Sequence, residues 1–436
     1  MKLISIVVRL LGALILAGTT WGVGTVTSPV AHAAGVEYLG ALIDAGLPID
    51  VAATQLAFTL SADADVFATI AKLRAARRLW GHALAAAGAA DAAGAPLATR
   101  TATRMMTVRD PWVNMLRTTA ACFAAGAGGA TTVTVQPFDA SVGLPDDLGR
   151  RLARNTQLVL QEESHIGLVA DPAGGSFYIE ELTDQLSTRA WSRFQEIQAA
   201  GGLSAVLLDG SLADALDTVR STRMANIAKR KDPLTGVSEF PNLAEAPLER
   251  PVPEVVTLRA AAAAAWAGPS LADTADATIV EPLPVVGLAS EFEELREASD
   301  RHLAMTGARP SVFLANLGAV AVHTARATFA KNFFESGGIE AIGSDGFGDD
   351  DALVVAFVAS GGGLAVICSS DAVYTDRAAA TATALRAAGA SRIYLAGAPG
   401  ERREELLAAG VDEFIHVGVD VLASLRTAHD LEGVAR

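Results

Sequence analysis

Apolar and polar positions change period repeatedly along this chain, and the clearest change runs from Leu144 to Leu182. Leu148, Leu152, Leu158 and Leu160 recur at close to helical spacing in an otherwise polar run, which predicts a helix. Ile166–Ala170 is continuously small or apolar and predicts a strand, cut off by Asp171-Pro172 and Gly174-Gly175. Phe177, Tyr178 and a helix opening at Thr183 follow. Helix, strand, Gly/Pro turn and helix in that order form the unit of a parallel α/β barrel.

The same alternation extends in both directions. Upstream, helices are predicted at Val36–Ala45, Asp65–Leu84 and from Pro111 to Thr119, with strands at Leu56–Leu60, Ala98–Thr107 and Thr131–Val135. Counting Ile166–Ala170, that gives four βα units. Helices at Ser187–Ile197 and Leu203–Ala228 close this part. Residues 245–308 read as a Pro- and Ala-rich linker ending in a connecting helix, Glu291–Met305. From residue 309 to 436, five short apolar strands are expected: Ser311–Leu317, Ile339–Gly343, Leu364–Cys368, Arg392–Ala396 and Glu413–His416. Helices between them, near Thr324–Ser336, Asp351–Val358, Asp376–Ala388 and Glu401–Ala409, predict a doubly wound, flavodoxin-like sheet.

Residues 1–34 break this pattern. Lys2 precedes an apolar run from Leu3 to Val26, and Ala31-His32-Ala33 looks like a small-residue cleavage site. Three readings stand: a secretory signal with export after Ala33, a single spanning helix, or a start that is not native to the rest. Arg9 interrupts the run, and Gly12, Gly18, Gly22 and Gly24 dilute it as a span.

Composition narrows the partners. The chain has 436 residues, long enough for two or three domains, and is 51% hydrophobic. A net charge of −15 argues against nucleic acid or an anionic membrane as a general partner. Cys122 and Cys368 stand in apolar surroundings and are expected as buried free thiols of a reducing, cytoplasmic compartment.

Arg154-Asn155-Thr156-Gln157, then Asp171-Pro172-Ala173-Gly174-Gly175-Ser176 and Ala190-Trp191, resemble the end of the barrel of methylmalonyl-CoA mutases. The run from Ala64 to Trp80 and the segment Tyr38–Gly46 resemble the same family. The resemblance implies that 35–244 is the last half of a (β/α) TIM-type barrel. It implies that 309–436 is a cobalamin-binding-type domain, and that four barrel strands are missing before Gly35. In that light the chain reads as a truncated or mis-started family member.

The chemistry-bearing positions depart from the family. Catalytic members place an Asp-x-His-x-x-Gly loop after the first strand of the cobalamin domain. Here it reads Ala321-Val322-His323-Thr324-Ala325-Arg326, so His323 falls on the cobalt-ligand position without its Asp or Gly. An imidazole lacking its carboxylate is a weaker ligand. Ser369-Ser370-Asp371 and Ala396-Gly397 depart from two further family turns. In the barrel, Thr101–Met106 and Thr134-Val135-Gln136 carry no histidine where the family carries substrate-facing ones. Arg104 reads as a ligand for a phosphate or carboxylate or as a solvated or ion-paired side chain, and His165 as a structural histidine near Glu162 and Glu163. Asp349-Asp350-Asp351 reads as a helix cap, Gly361-Gly362-Gly363 as a turn, and Lys229-Arg230-Lys231 as a solvated basic turn.

No catalytic and no metal-ligating residue is expected. The implied role is that of the non-catalytic small subunit of a heterodimeric mutase. Its large-subunit partner binds adenosylcobalamin and the CoA thioester, and interconverts methylmalonyl-CoA and succinyl-CoA. The rivals are a stand-alone mutase using His323 and a secreted binding protein.

Overall fold

The computed structural model describes residues 27–89, 91–92, 94–251, 283 and 286–435. The apolar run Leu3–Val26 and most of the expected linker lie outside them. Two compact units emerge: Met1–Ser221 with Leu248–Gly287, and Thr222–Pro247 with Leu288–Arg436.

The first unit opens with helix α1 (Thr27–Asp44) and the short α2 (Ile49–Thr54). Strand β1 (Phe58–Ala62), helix α3 (Val66–Ala86), strand β2 (Leu97–Thr101), helix α4 (Val113–Ala127) and strand β3 (Thr132–Thr134) follow. Asp65 caps α3 by accepting from Ala68 N at 3.1 Å. The three strands are parallel in the order β1-β2-β3, with Phe58 opposite Leu97 and Ala98 opposite Thr132. Each strand returns through a helix, as parallel pairing requires. Leu60, Ala62, Leu73, Trp80 and Ala121 share one core with Ala33 and Leu39 of α1. Helices α5 (Asp147–Leu158), α6 (Phe177–Ala199) and α7 (Leu203–Leu208) complete the series, and α8 (Ser211–Ala228) carries the chain across the boundary at Ser221.

Four expectations are corrected here. Ile166–Ala170 is no strand but a mostly exposed irregular segment, so the described residues of the first unit contain three parallel strands and not four. The α5 helix runs into a π-helical turn, Val159–Glu163, and the chain then reverses at His165 with φ +54°. Ile166 is thereby turned back onto α4, where its Cδ1 sits against Gly126. The helix expected at Thr183 already begins at Phe177. The helix expected over Leu203–Ala228 is interrupted between Leu208 and Ser211, at Gly210 with φ +83°. Finally, the leader boundary at residue 34 moves. Residues 27–34 belong to α1, Ala33 is fully buried, and His32 pairs with the carbonyl of Ala76 at 2.8 Å.

The second unit carries α9 (Ser290–Thr306), β4 (Ser311–Asn316), α10 (Val320–Glu335), β5 (Glu340–Ile342) and α11 (Asp350–Ser360). It continues with β6 (Leu364–Cys368), α12 (Asp371–Ala387), β7 (Arg392–Ala396), α13 (Arg403–Ala408), β8 (Glu413–Ile415) and α14 (Val421–Leu431). All five strands are parallel, in the order β5-β4-β6-β7-β8. Alternate strand residues face opposite cores. Val312, Leu314, Val366 and Tyr394 pack on Phe333, Phe334 and Leu425 from one side. Phe313, Ala365, Ile367 and Leu395 pack on Leu353, Tyr374 and Leu385 from the other. Every residue of β6 is buried, which is why that strand reads as an unbroken apolar run rather than an alternation.

Candidate functional site at the strand ends

Parallel α/β sheets present their chemistry at the carboxyl ends of their strands. In the first unit those ends are closed by their own side chains. Asp63 follows β1 and accepts from Arg104 Nε at 2.8 Å, with Arg104 Nη2 bonded to the same oxygen. Of the sequence readings of Arg104, the ion pair is the one observed, and its side chain is 9% exposed. Lys72 of α3 lies beneath, buried, with its ammonium donating to the carbonyl of Ser61. Burial pushes its pKa down to about 8, against an opposing pull from Asp63. Burial also raises Asp63, but Arg104 and Lys72 outweigh it and hold that carboxyl below its ordinary value.

The neighbouring strand ends are equally occupied. Gln136 binds Thr101 through both its backbone N–H and its side-chain amide. Its Oε1 accepts from Thr103 Oγ1 and Arg100 Nη2, each at 3.3 Å. Asn114, fully buried, ties Thr107 to the carbonyl of Phe138 at 2.9 Å. This network orders the strand-end loops and leaves no imidazole there to donate to or take a proton from a ligand.

The Asp171–Ser176 motif has a structural role that the sequence alone did not disclose. Arg74 bonds Asp171 and, at 2.6 Å, Glu180, while Glu180 accepts from Gly175 N at 3.1 Å. The turn is therefore pinned to α3, and Gly175 supplies the φ of +79° that the turn requires. The signal was present in the charge spacing of α3, but a link across 97 residues is not visible in a local pattern.

In the second unit the same crest is packed from within. His323, on the first turn of α10, is 3% exposed. Its Nδ1 pairs with the carbonyl of Gly318 at 3.2 Å, and a Cβ on Gly346 would meet its Cε1 at 2.7 Å. Gly346 itself has φ +106°. Arg326 Nη2 donates to Asp371 Oδ1 at 2.6 Å, and the guanidinium stacks 4.8 Å from the centroid of the Tyr374 ring. Tyr374 OH contacts the carbonyls of Ile367 and Ala396 and accepts from Ser369 N, each at 2.9 Å. Ser369 Oγ donates to the carbonyl of Leu317 at 2.8 Å.

These residues do not fit a corrinoid. The His323 imidazole is packed into its own loop, Ala321 offers no carboxylate to orient it, and Arg326 covers the neighbouring strand ends.

The remaining candidates resolve as structure. Asp349 Oδ1 caps α11 by accepting from Ala352 N at 2.8 Å, and Asp350 pairs with Arg377 at 2.7 Å. Gly361 ends α11 with φ +71°. Among the described residues, no cluster of His, Cys, Asp or Glu could hold a metal ion. Cys122 and Cys368 are buried and free, and burial pushes the Cys122 thiol up to about 11. His165 is exposed at its turn. Lys229-Arg230-Lys231 is not simply a solvated turn, because Arg230 is buried against Glu239 and lies 5.7 Å from the centroid of the Phe329 ring.

Comparison with known sequences agrees with these motifs. The profile of the family described as Methylmalonyl-CoA mutase matches residues 25–266. The chain is 48% identical over 403 residues to the methylmalonyl-CoA mutase small subunit of Streptomyces virginiae, covering 92% of this chain and 61% of that one. It is 37% identical over 411 residues to the small subunit of Propionibacterium freudenreichii subsp. shermanii, covering 93% and 60% respectively. It is 33% identical over 217 residues to the large subunit of Porphyromonas gingivalis, covering 49% of this chain and 30% of that one. The chain thus spans about three fifths of the length of the small subunits it matches. With more than half of its residues matched by that profile, the chain belongs to the methylmalonyl-CoA mutase family.

Proposed function

We propose that this chain acts as the small, scaffolding subunit of an adenosylcobalamin-dependent methylmalonyl-CoA mutase. In this reading it pairs with a large subunit that holds the cofactor and the CoA thioester and interconverts methylmalonyl-CoA and succinyl-CoA. The observation that carries the reading is the packing of His323 under Gly346 and against Gly318, in a chain 48% identical to a small subunit. The three-stranded sheet of the first unit is then part of a TIM-type barrel. The five-stranded sheet, in the order 2-1-3-4-5, is a flavodoxin-like domain that has lost its ligand. Residues 245–308 connect the two, and the complex works in the cytoplasm. Among the described residues no helix is long and apolar enough to cross a membrane. No observation favours the stand-alone enzyme or the secreted binding protein.

The test is reconstitution. Mixed with the large subunit of a heterodimeric mutase, the chain should co-elute with it in size-exclusion chromatography. Isomerase activity should appear only when the large subunit is present. Activity of this chain alone with adenosylcobalamin contradicts the proposal.

A further inference from the structure

We propose that Arg326 is a built-in plug, the side chain that closes the crest of the five-stranded sheet against a bulky planar ligand. This rests on reading the chain as the subunit that does not hold the cofactor, and it names the residue responsible.

In a sheet of order 2-1-3-4-5 the crevice for ligands opens where the connections diverge, here at the carboxyl ends of β4 and β6. Arg326 is the seventh residue of α10, the helix that leaves β4. Its side chain lies over the ends of β6 and β7. Three contacts from separate elements fix it there. Asp371, just after β6, accepts from Nη2 at 2.6 Å. Tyr374, on α12, supports the guanidinium from below at 4.8 Å. Gly397, directly after β7 with φ +149°, approaches so closely that a Cβ there would lie 2.9 Å from Nη1 and 3.1 Å from Cζ.

The support is itself rigid. The Tyr374 hydroxyl is bound to the carbonyls of Ile367, next to last in β6, and Ala396, last in β7, and to Ser369 N, so the ring cannot swing aside without breaking strand-end hydrogen bonds. A planar guanidinium held in a fork, stacked on an aromatic face and pressed on a glycine fills a flat slot of the kind a ligand ring system would enter. Asp371, 84% exposed at its side chain, is the latch on the solvent side.

The experiment compares the full wild-type chain with Arg326→Ala, which removes the plug and keeps a good helix former in α10. Hydroxocobalamin is titrated into each, with corrin absorbance and equilibrium dialysis as readouts and circular dichroism as the check of folding. The proposal expects wild type to show no saturable binding and Arg326→Ala to bind at least about tenfold more tightly. Should the alanine variant not fold, Arg326→Ser is read in the same way. A folded variant that binds no better than a non-binding wild type overturns the plug and leaves the scaffolding reading standing. Saturable binding by wild type overturns both.

Discussion

His323 Nδ1 and the carbonyl oxygen of Gly318 lie 3.2 Å apart, and this pairing makes the imidazole part of its own loop. His323 is therefore a packing element. Replacing His323 with Ala should cost about 1–2 kcal/mol through the lost contact and the space left under Gly346. Urea denaturation of the variant measures it. The cofactor content of the assembled complex should not change, whereas a cobalt ligand would take the corrinoid with it.

The Asp63–Arg104 pair predicts a second, larger effect. Arg104→Ala strands a mostly buried carboxylate, and should cost about 3 kcal/mol in chemical denaturation. Because Asp63 is held below its ordinary pKa, its stabilisation is complete above the unfolded-state value of about 3.9. It is lost as pH falls further, through the lower folded value. The acid limb of the stability curve should therefore flatten in Arg104→Ala.

Lys72 works in the opposite sense at alkaline pH. Its folded pKa of about 8 lies below that of the unfolded chain, so between these values the unfolded state binds more protons. Stability from this group should rise as pH increases above 8. Lys72→Met should show no such rise when thermal midpoints of the two proteins are compared from pH 7 to 9.5.

Tyr374→Phe removes one hydroxyl that serves two strand-end carbonyls and Ser369 N. Such buried groups left without their partner should cost about 2 kcal/mol. Amide hydrogen exchange should locate the loosening at Cys368–Ser370 and Ala396-Gly397, with the rest of the second unit unaffected.

The second sheet was legible because each strand is a short apolar run between helical segments. Leu364–Cys368 and Arg392–Ala396 were read to the residue. The first unit was harder. Ile166–Ala170 carries strand composition, but a strand exists only when it pairs, and β3 spans just Thr132–Thr134. The competing local geometry, a π-turn and the reversal at His165, places Ile166 against Gly126 instead. Of the site, the loss of Asp and Gly around His323 was visible as residue types. The stacking of Arg326 on Tyr374 was not, because 48 residues separate them and no periodicity links a helix face to the turn after another strand.

The most direct test of the account is the corrinoid content of the assembled complex. This chain and a large subunit should be co-purified with excess adenosylcobalamin, and cobalt counted against both polypeptides. A single cobalt per small–large pair is expected, unchanged in a complex carrying His323→Ala. Two cobalts per pair, falling to one in that variant, would contradict it.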